Sequence, residues 1–388
     1  MLRVFNVGQA DSFELVPREG CKFKDLSILI DCGQGSRNVF GGLSKDKINL
    51  VLTHAHKDHI GGLSHLFGGR SRIQVEELWL PYYGDEIVKI ANFIFSLKGA
   101  SSIIGRSKAE LELRNTVNTY RLLKEILSEK GCKVIRGVRR GLELCDHLFI
   151  LNPPLDTDSA LGLKKGTSGK YWEYQKETNY ETIRRWLTPE EFERNWGSFI
   201  AEGWDYSVPN LIEDLDFTHR MQFIYGFFYK YESVIDAFIE SNSPEDFEEV
   251  ANAVKLTSND ISVVLEYEFD DFSCLLTGDV SRAQLTNSLS DRKNDRIDIF
   301  KFPHHGSKTS LDREVLKTLS PEIVIISHGN GRFGRQKDPH PNLEVIQALD
   351  EMIIPTSYTN DVMKNGRVMK EKSVQNPHQY VEIVELRH

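Results

Sequence analysis

His54, His56, Asp58 and His59 place three imidazoles and one carboxylate within six residues, directly after an apolar run from Ile48 to Leu52. Imidazole nitrogen and carboxylate oxygen are the donors that divalent metals such as zinc and manganese take. On an extended segment His54 and His56 share a face and can grip one ion. Asp58 and His59 follow at a spacing that requires the chain to turn, so they are expected to serve a second position close by. The expectation is a binuclear centre. Histidine is scarce here, 12 in 388 residues, so three in one short stretch is not a chance feature of composition.

Such a centre needs further ligands from rigid elements, because donors must converge from several directions. The chain offers them where apolar runs stop. Besides the run before His54, Phe272 to Leu276 ends at Thr277-Gly278-Asp279, Ile297 to Phe302 ends at Pro303-His304-His305-Gly306, and Ile323 to Ile326 ends at Ser327-His328. Each run has strand length and is closed by Gly, Pro or polar residues. The first sixteen residues read as a hairpin whose tip is Gly8-Gln9-Ala10-Asp11-Ser12. A carboxylate after a glycine, as at Asp279, is suited to bridge two ions through its two oxygens.

Composition narrows the classes. The chain is 40% hydrophobic with a net charge of −9, an ordinary globular balance that argues against a generally basic, nucleic-acid-coating surface. Any polyanion groove must be local; Arg136, Arg139, Arg140, Arg332, Arg335 and Lys337 are its candidates. Five scattered cysteines without a Cys-x-x-Cys pair suggest neither a disulfide framework nor a thiolate zinc site. No apolar run reaches the ~18 residues of a membrane span, and the start reads as a strand and not as a signal peptide, so no membrane partner and a cytoplasmic location are expected.

Between the strand-rich halves the pattern is helical. Residues 85–131 carry 3.6-residue spacing, and 155–257 are charged and aromatic and include Trp172, Trp186, Trp196 and Trp204. Thr188-Pro189-Glu190-Glu191 and Ser243-Pro244-Glu245-Asp246 are helix starts, with a capping hydroxyl, proline in the first turn and acids behind it. The predicted organisation is a discontinuous domain, 1–154 and 258–388, interrupted by a helical insertion at 155–257 whose aromatics form its own core or dock a protein partner.

His54-x-His56-x-Asp58-His59-x-Gly61-Gly62 with the downstream Leu276-Thr277-Gly278-Asp279 resembles the metallo-β-lactamase fold superfamily. More narrowly, Asn6-Val7-Gly8-Gln9-Ala10-Asp11-Ser12, Asn259-Asp260-Ile261-Ser262 and Pro303-His304-His305-Gly306-Ser307-Lys308-Thr309-Ser310 resemble the soluble hydrolase domain of ComEC-type DNA-uptake proteins. The resemblance implies an α/β fold, an αββα sandwich with the helical insertion, holding two divalent ions, Zn or Mn, with single occupancy the alternative. It implies that His54 and His56 bind the first ion, Asp58 and His59 the second, that Asp279 bridges, and that His304 or His305 is a late ligand, a role for which His340 competes. Asp58, His305, His340 and Lys308 are then the expected catalytic groups, and Ser307, Lys308, Ser310 and Asn259 the substrate contacts. The third histidine that many members place for the first ion is absent here: that place falls near Asn259-Asp260, and His65 and His147 are poor substitutes for it. The implied reaction is metal-dependent hydrolysis of a DNA or RNA phosphodiester. The alternatives are a small-molecule hydrolase, for a cyclic nucleotide, lactone or thioester, and a partner-binding protein with a structural metal.

Overall fold

The computed structural model describes residues 1–66, 71–100, 108–129, 131–132, 134–174, 176–195, 216–269, 272–290, 292, 296–329, 340–364, 367–373 and 380–383. The chain falls into two compact units. Met1–Pro81, Ile126–Pro153 and Asn259–His388 form one, Tyr82–Glu125 and Pro154–Ser258 the other.

The first unit holds two seven-stranded sheets. In one, β1 (Leu2–Phe5), β2 (Phe13–Leu15), β3 (Ser27–Ile30), β4 (Lys47–Val51), β5 (Gln74–Pro81) and β6 (Val134–Val138) lie side by side in chain order. In the other, β7 (Glu143–Cys145), β8 (Leu148–Asn152), β9 (Val264–Phe269), β10 (Phe272–Leu276), β11 (Ile299–Lys301), β12 (Ile323–Ile326) and β13 (Thr356–Tyr358) do the same. A small hairpin, β14 (Val362–Lys364) with β15 (Arg367–Lys370), follows, and β16 (Tyr380–Ile383) returns to pair with β1. The pairs β3 to β6 and β10 to β13 are parallel, so the C-terminal ends of each set emerge on one edge. Open α/β sheets bind at that edge.

Alternation along the strands explains the layering. Cys274 and Leu276 join Ile28, Ile30, Val51, Trp79 and Ile325 in one core between the sheets. Leu275, Val324 and Ile326, one residue out of phase, pack instead against Leu285, Leu316 and Leu349 from the helices Arg282–Leu289, Arg313–Leu319 and Leu343–Glu351. Helix on sheet on sheet is an α/β sandwich, the layering that the sequence motifs lead one to expect.

The second unit is helical. α1 (Lys57–Ile60) and α2 (Leu63–Leu66) belong to the first unit; α3 (Gly84–Phe95) belongs here with Phe217–Ser241 and several shorter helices. The predicted starts hold: Thr188 Oγ1 accepts from Glu191 N, and Ser243 Oγ from Asp246 N. Trp186 is fully buried against Phe93 and Phe228, and its Nε1 donates to Asp236 at 2.6 Å. That gives this aromatic the core role expected of it. Trp196 and Trp204 lie outside the described residues, as does the side chain of Trp172. Among the described residues no helix is long and apolar enough to cross a membrane.

Candidate metal centre

The motif turns as its spacing requires. β4 runs out at Val51, the chain bends at His54 and Ala55, His56 is extended, and α1 begins at Lys57. Asp58 and His59 therefore sit on a first helical turn and not on the strand. The turn is held by backbone: Cys32 N donates to His59 O at 2.8 Å, and Val263 N to Thr53 O at 2.9 Å, which ties β4 to the start of β9 in the other sheet.

Asp58, His59, Asp279 and His305 bring one donor atom each within 4.8 Å of one another. Three of them are fully buried and Asp58 is half-buried. Asp279 Oδ2 lies 3.3 Å from His59 Nε2 and 3.7 Å from His305 Nε2. His59 Nε2 and Asp279 Oδ1 are buried and make no hydrogen bond. Buried polar atoms are rarely left so, and here both belong to groups that ligate metals. The donor set, two imidazoles and two carboxylates, fits a divalent ion such as zinc or manganese.

The supporting residues are equally specific. Asp31 Oδ2 accepts from His59 Nδ1 at 2.7 Å and is itself fixed by Thr53, whose N and Oγ1 donate at 2.8 and 2.7 Å. This sets the His59 tautomer so that Nε2 faces the cluster, the role a carboxylate behind a metal histidine plays. His305 Nδ1 donates to Ser327 O at 3.0 Å, which turns its Nε2 the same way. Asp31→Ala is expected to weaken metal binding ~10–100-fold with Asp279 and His305 intact, read by competition against a chromogenic chelator.

Charges agree with the geometry. Burial works against ionised His59 and His305, but Asp279 outweighs it, with Asp31 pushing His59 well above its ordinary range and Asp11 and Asp58 helping push His305 up to about 10. Burial would raise the Asp279 carboxyl, yet His59, His305 and His304 hold it well below the usual range. His54 is driven down by burial and by its imidazole neighbours.

His54 and His56 meet as predicted, with Nε2 and Nδ1 2.9 Å apart. Ser262 Oγ, 3.2 Å from His54 Nδ1, stands beside them. Asn259 ends the helix Pro244–Asp260 and accepts from Ser262 N through its carbonyl, so it supports the turn. Of the histidine pair, His305 enters the cluster, while His304 lies at the rim, partly exposed, 3.8 Å from Asp279 Oδ2. Both imidazoles thus reach Asp279 Oδ2, His305 from the buried side and His304 from the rim. Both take positive φ, 50° and 53°, and that left-handed pair is what aims two consecutive side chains at one place. His340 stacks edge-on to His304 with ring centroids 5.0 Å apart.

In the loop after them, Ser307 Oγ bonds Thr309, and Ser310 Oγ donates to Val280 O at 2.9 Å, so both buried hydroxyls hold the loop in shape. Lys308 is exposed beside them. Arg136 pairs with Glu77, and Arg140 donates to Leu151 O. Arg332, Arg335 and Lys337 lie outside the described residues. His65 donates to Gly35 O and His147 to Glu268 O, both structural.

Asp11, Asp31, Ser262 and Lys301 complete the centre without having been expected as site residues. Asp11 and Asp31 each follow a strand run in the sequence, the signal that found Asp279. Lys301, inside the run Ile297 to Phe302, carries no sequence signal beyond being a charge at a buried position.

One buried histidine outside the cluster reports on stability. His328 is pushed down to about 4, chiefly by burial, and its Nδ1 donates to Gly329 O at 2.6 Å. A histidine held neutral in the folded state costs nothing above pH 6.5, and the unfolded chain gains protons over the folded one as pH falls from there toward 4. Stability should drop by up to about 3 kcal/mol across that window from this residue. In metal-free protein, Tm is expected to fall less steeply between pH 6.5 and 4 for His328→Asn than for the parent.

No family model matches the chain. ComE operon protein 3 of Bacillus subtilis is 33% identical over 113 residues, 29% of this chain and 14% of that protein. Recombination protein 2 of Haemophilus influenzae is 35% identical over 89 residues, 23% of this chain and 11% of that protein. The similarity thus spans a small part of either relative. The solved structure of Tm1679, described as a metal-dependent hydrolase of the β-lactamase superfamily, covers 96% of this chain and all of its own, with a TM-score of 0.37 and 12% identity. The two sheets, with His54 to His59 and Gly278-Asp279 brought to their ends, make an α/β sandwich, and the chain has partial similarity to those two curated relatives.

Proposed function

We propose that the chain is a metal-dependent hydrolase whose substrate is a phosphodiester of DNA or RNA. The observation that carries the hydrolase reading is the convergence of Asp58, His59, Asp279 and His305, with His59 Nε2 a buried donor that makes no hydrogen bond. These four residues would hold a divalent ion, which would supply a lowered water pKa, from about 15.7 toward ~7, and a positive charge for the oxygen under attack. The chain's own groups supply the rest. Asp58, half-buried, has an edge toward solvent from which to orient the attacking water and take its proton. His304 and His340, paired at the rim, are placed to protonate the leaving oxygen. Lys308, exposed on the next turn, offers a point charge to a phosphate oxygen. Nucleic acid as substrate rests on the motifs and on the two partial relatives, whose names concern the ComE operon and recombination.

The test is a panel of single- and double-stranded DNA, RNA, bis-p-nitrophenyl phosphate and a thioester or lactone, each with Mn²⁺ or Zn²⁺. Cleavage of a polymer that falls with rising salt supports the reading, since phosphate contacts release counterions. Turnover of the thioester or lactone with no phosphodiester cleaved would replace it.

A further inference from the structure

Lys301 ends β11 with its side chain 1% exposed, beside the centre and not part of its donor set. Its ammonium pairs with the equally buried Asp11, donates to Gly278 O at 2.6 Å and lies 3.7 Å from Asp279 Oδ1. Thr277 Oγ1 donates to its carbonyl at 2.9 Å, which anchors the backbone it hangs from. A lysine is not buried without a role that repays its desolvation.

The two oxygens of Asp279 face different partners. Oδ2 faces His59, His305 and His304, the side of the tight cluster. Oδ1, the oxygen a bridging carboxylate would give to a first ion, faces Lys301. The first position itself is poor: His54 and His56 are neutral donors, and Ser262 and Thr53 hydroxyls at 3.2 Å from His54 Nδ1 add no charge.

We infer that Lys301 is a built-in cation that makes this a one-ion centre: the ion sits among Asp58, His59, Asp279 and His305, and the His54/His56 position takes a second only weakly. This deepens the metal-dependent reading above and rests on it. The charges balance accordingly. Asp11, Asp31, Asp58 and Asp279 with Lys301 and one divalent ion leave a single negative charge, and the carboxylate of Asp31 is hydrogen-bonded by His59 Nδ1. A second ion would leave a buried positive excess against Lys301, which low-dielectric surroundings penalise heavily. Without the ammonium, two ions would be neutral.

The test is titration of metal-free protein with Mn²⁺, followed by equilibrium dialysis and by electron paramagnetic resonance, which distinguishes an isolated ion from an exchange-coupled pair. The parent should take one ion tightly, with the second at least roughly 100-fold weaker and no coupled signal. Lys301→Met, close in length and uncharged, should tighten the second ion and bring up the coupled signal. Two ions of similar affinity in the parent, or a Lys301→Met protein that still takes one, would overturn the inference while leaving the metal centre standing. Should that variant not fold, His54→Ala/His56→Ala must keep the tight ion; its loss overturns the inference too. A parent that binds no ion at all would overturn the metal reading itself.

Discussion

Asp279→Asn is expected to lower hydrolysis by at least about 10³-fold, because losing the ion forfeits both the lowered water pKa and the charge set against the transition state, each worth several kcal/mol. The amide keeps the volume and the turn but replaces an oxygen that two imidazoles face with a group that cannot serve both. Metal affinity should fall at least about 100-fold. Folding should survive, because the turn at Gly278 is set by φ +52° and by the close approach of Thr53 and Ser262, 3.0 and 2.9 Å from where a Cβ would stand. Circular dichroism, metal titration and rate measured on one preparation check the three statements together. A variant that is folded, metal-loaded and active would remove Asp279 from the centre.

The second large effect is on stability. Gly62→Ala should cost more than about 4 kcal/mol, the range reserved for direct steric conflict. A Cβ at Gly62 would stand 1.8 Å from Cys32 O, a backbone atom that has no rotamer to change. Cys32 sits in the loop after β3, and its N is bonded to His59 O, so relieving the clash must pull on the helix that carries Asp58 and His59. Tm should drop by roughly 8–16 °C, or the protein should fail to express in soluble form. Gly41→Ala is the control, since its Cβ would meet nothing closer than Asn38 at 3.8 Å. Equal behaviour of the two variants would show that the turn has slack the geometry denies.

Most strands were legible because alternation and terminal Gly or Pro mark them: Phe272 to Leu276 and Ile323 to Ile326 coincide with β10 and β12. The candidate ligands after them were legible for the same reason, since each stands at the end of such a run. What stayed hidden depends on backbone direction and on neighbours distant in the chain. Consecutive residues His304 and His305 differ by a local left-handed turn, which spacing does not encode, so their order of approach could not be read. Ser307 and Ser310 look like phosphate contacts in a Gly-Ser-Lys-Thr-Ser string; that Val280 O and Thr309 bond their hydroxyls emerges only from packing. Lys301 is the clearest case. Its partner Asp11 lies in the first hairpin, almost the length of the chain away, and nothing in Ile-Phe-Lys-Phe foretells the pair.

Residues 82–125 carry the same lesson at domain scale. Helical spacing is visible there, but spacing does not say which unit a helix joins, and compactness groups them with 154–258.

The central claim is that Asp58, His59, Asp279 and His305 hold a catalytic ion. Anomalous diffraction at the manganese or zinc edge, from crystals grown with that metal, locates it directly. A peak within ligand distance, about 2.0–2.2 Å, of His59 Nε2, His305 Nε2 and a carboxylate oxygen each from Asp58 and Asp279 is the predicted result. A peak held by His54 and His56 with those four groups unligated, or no peak at the sheet edge, would contradict it.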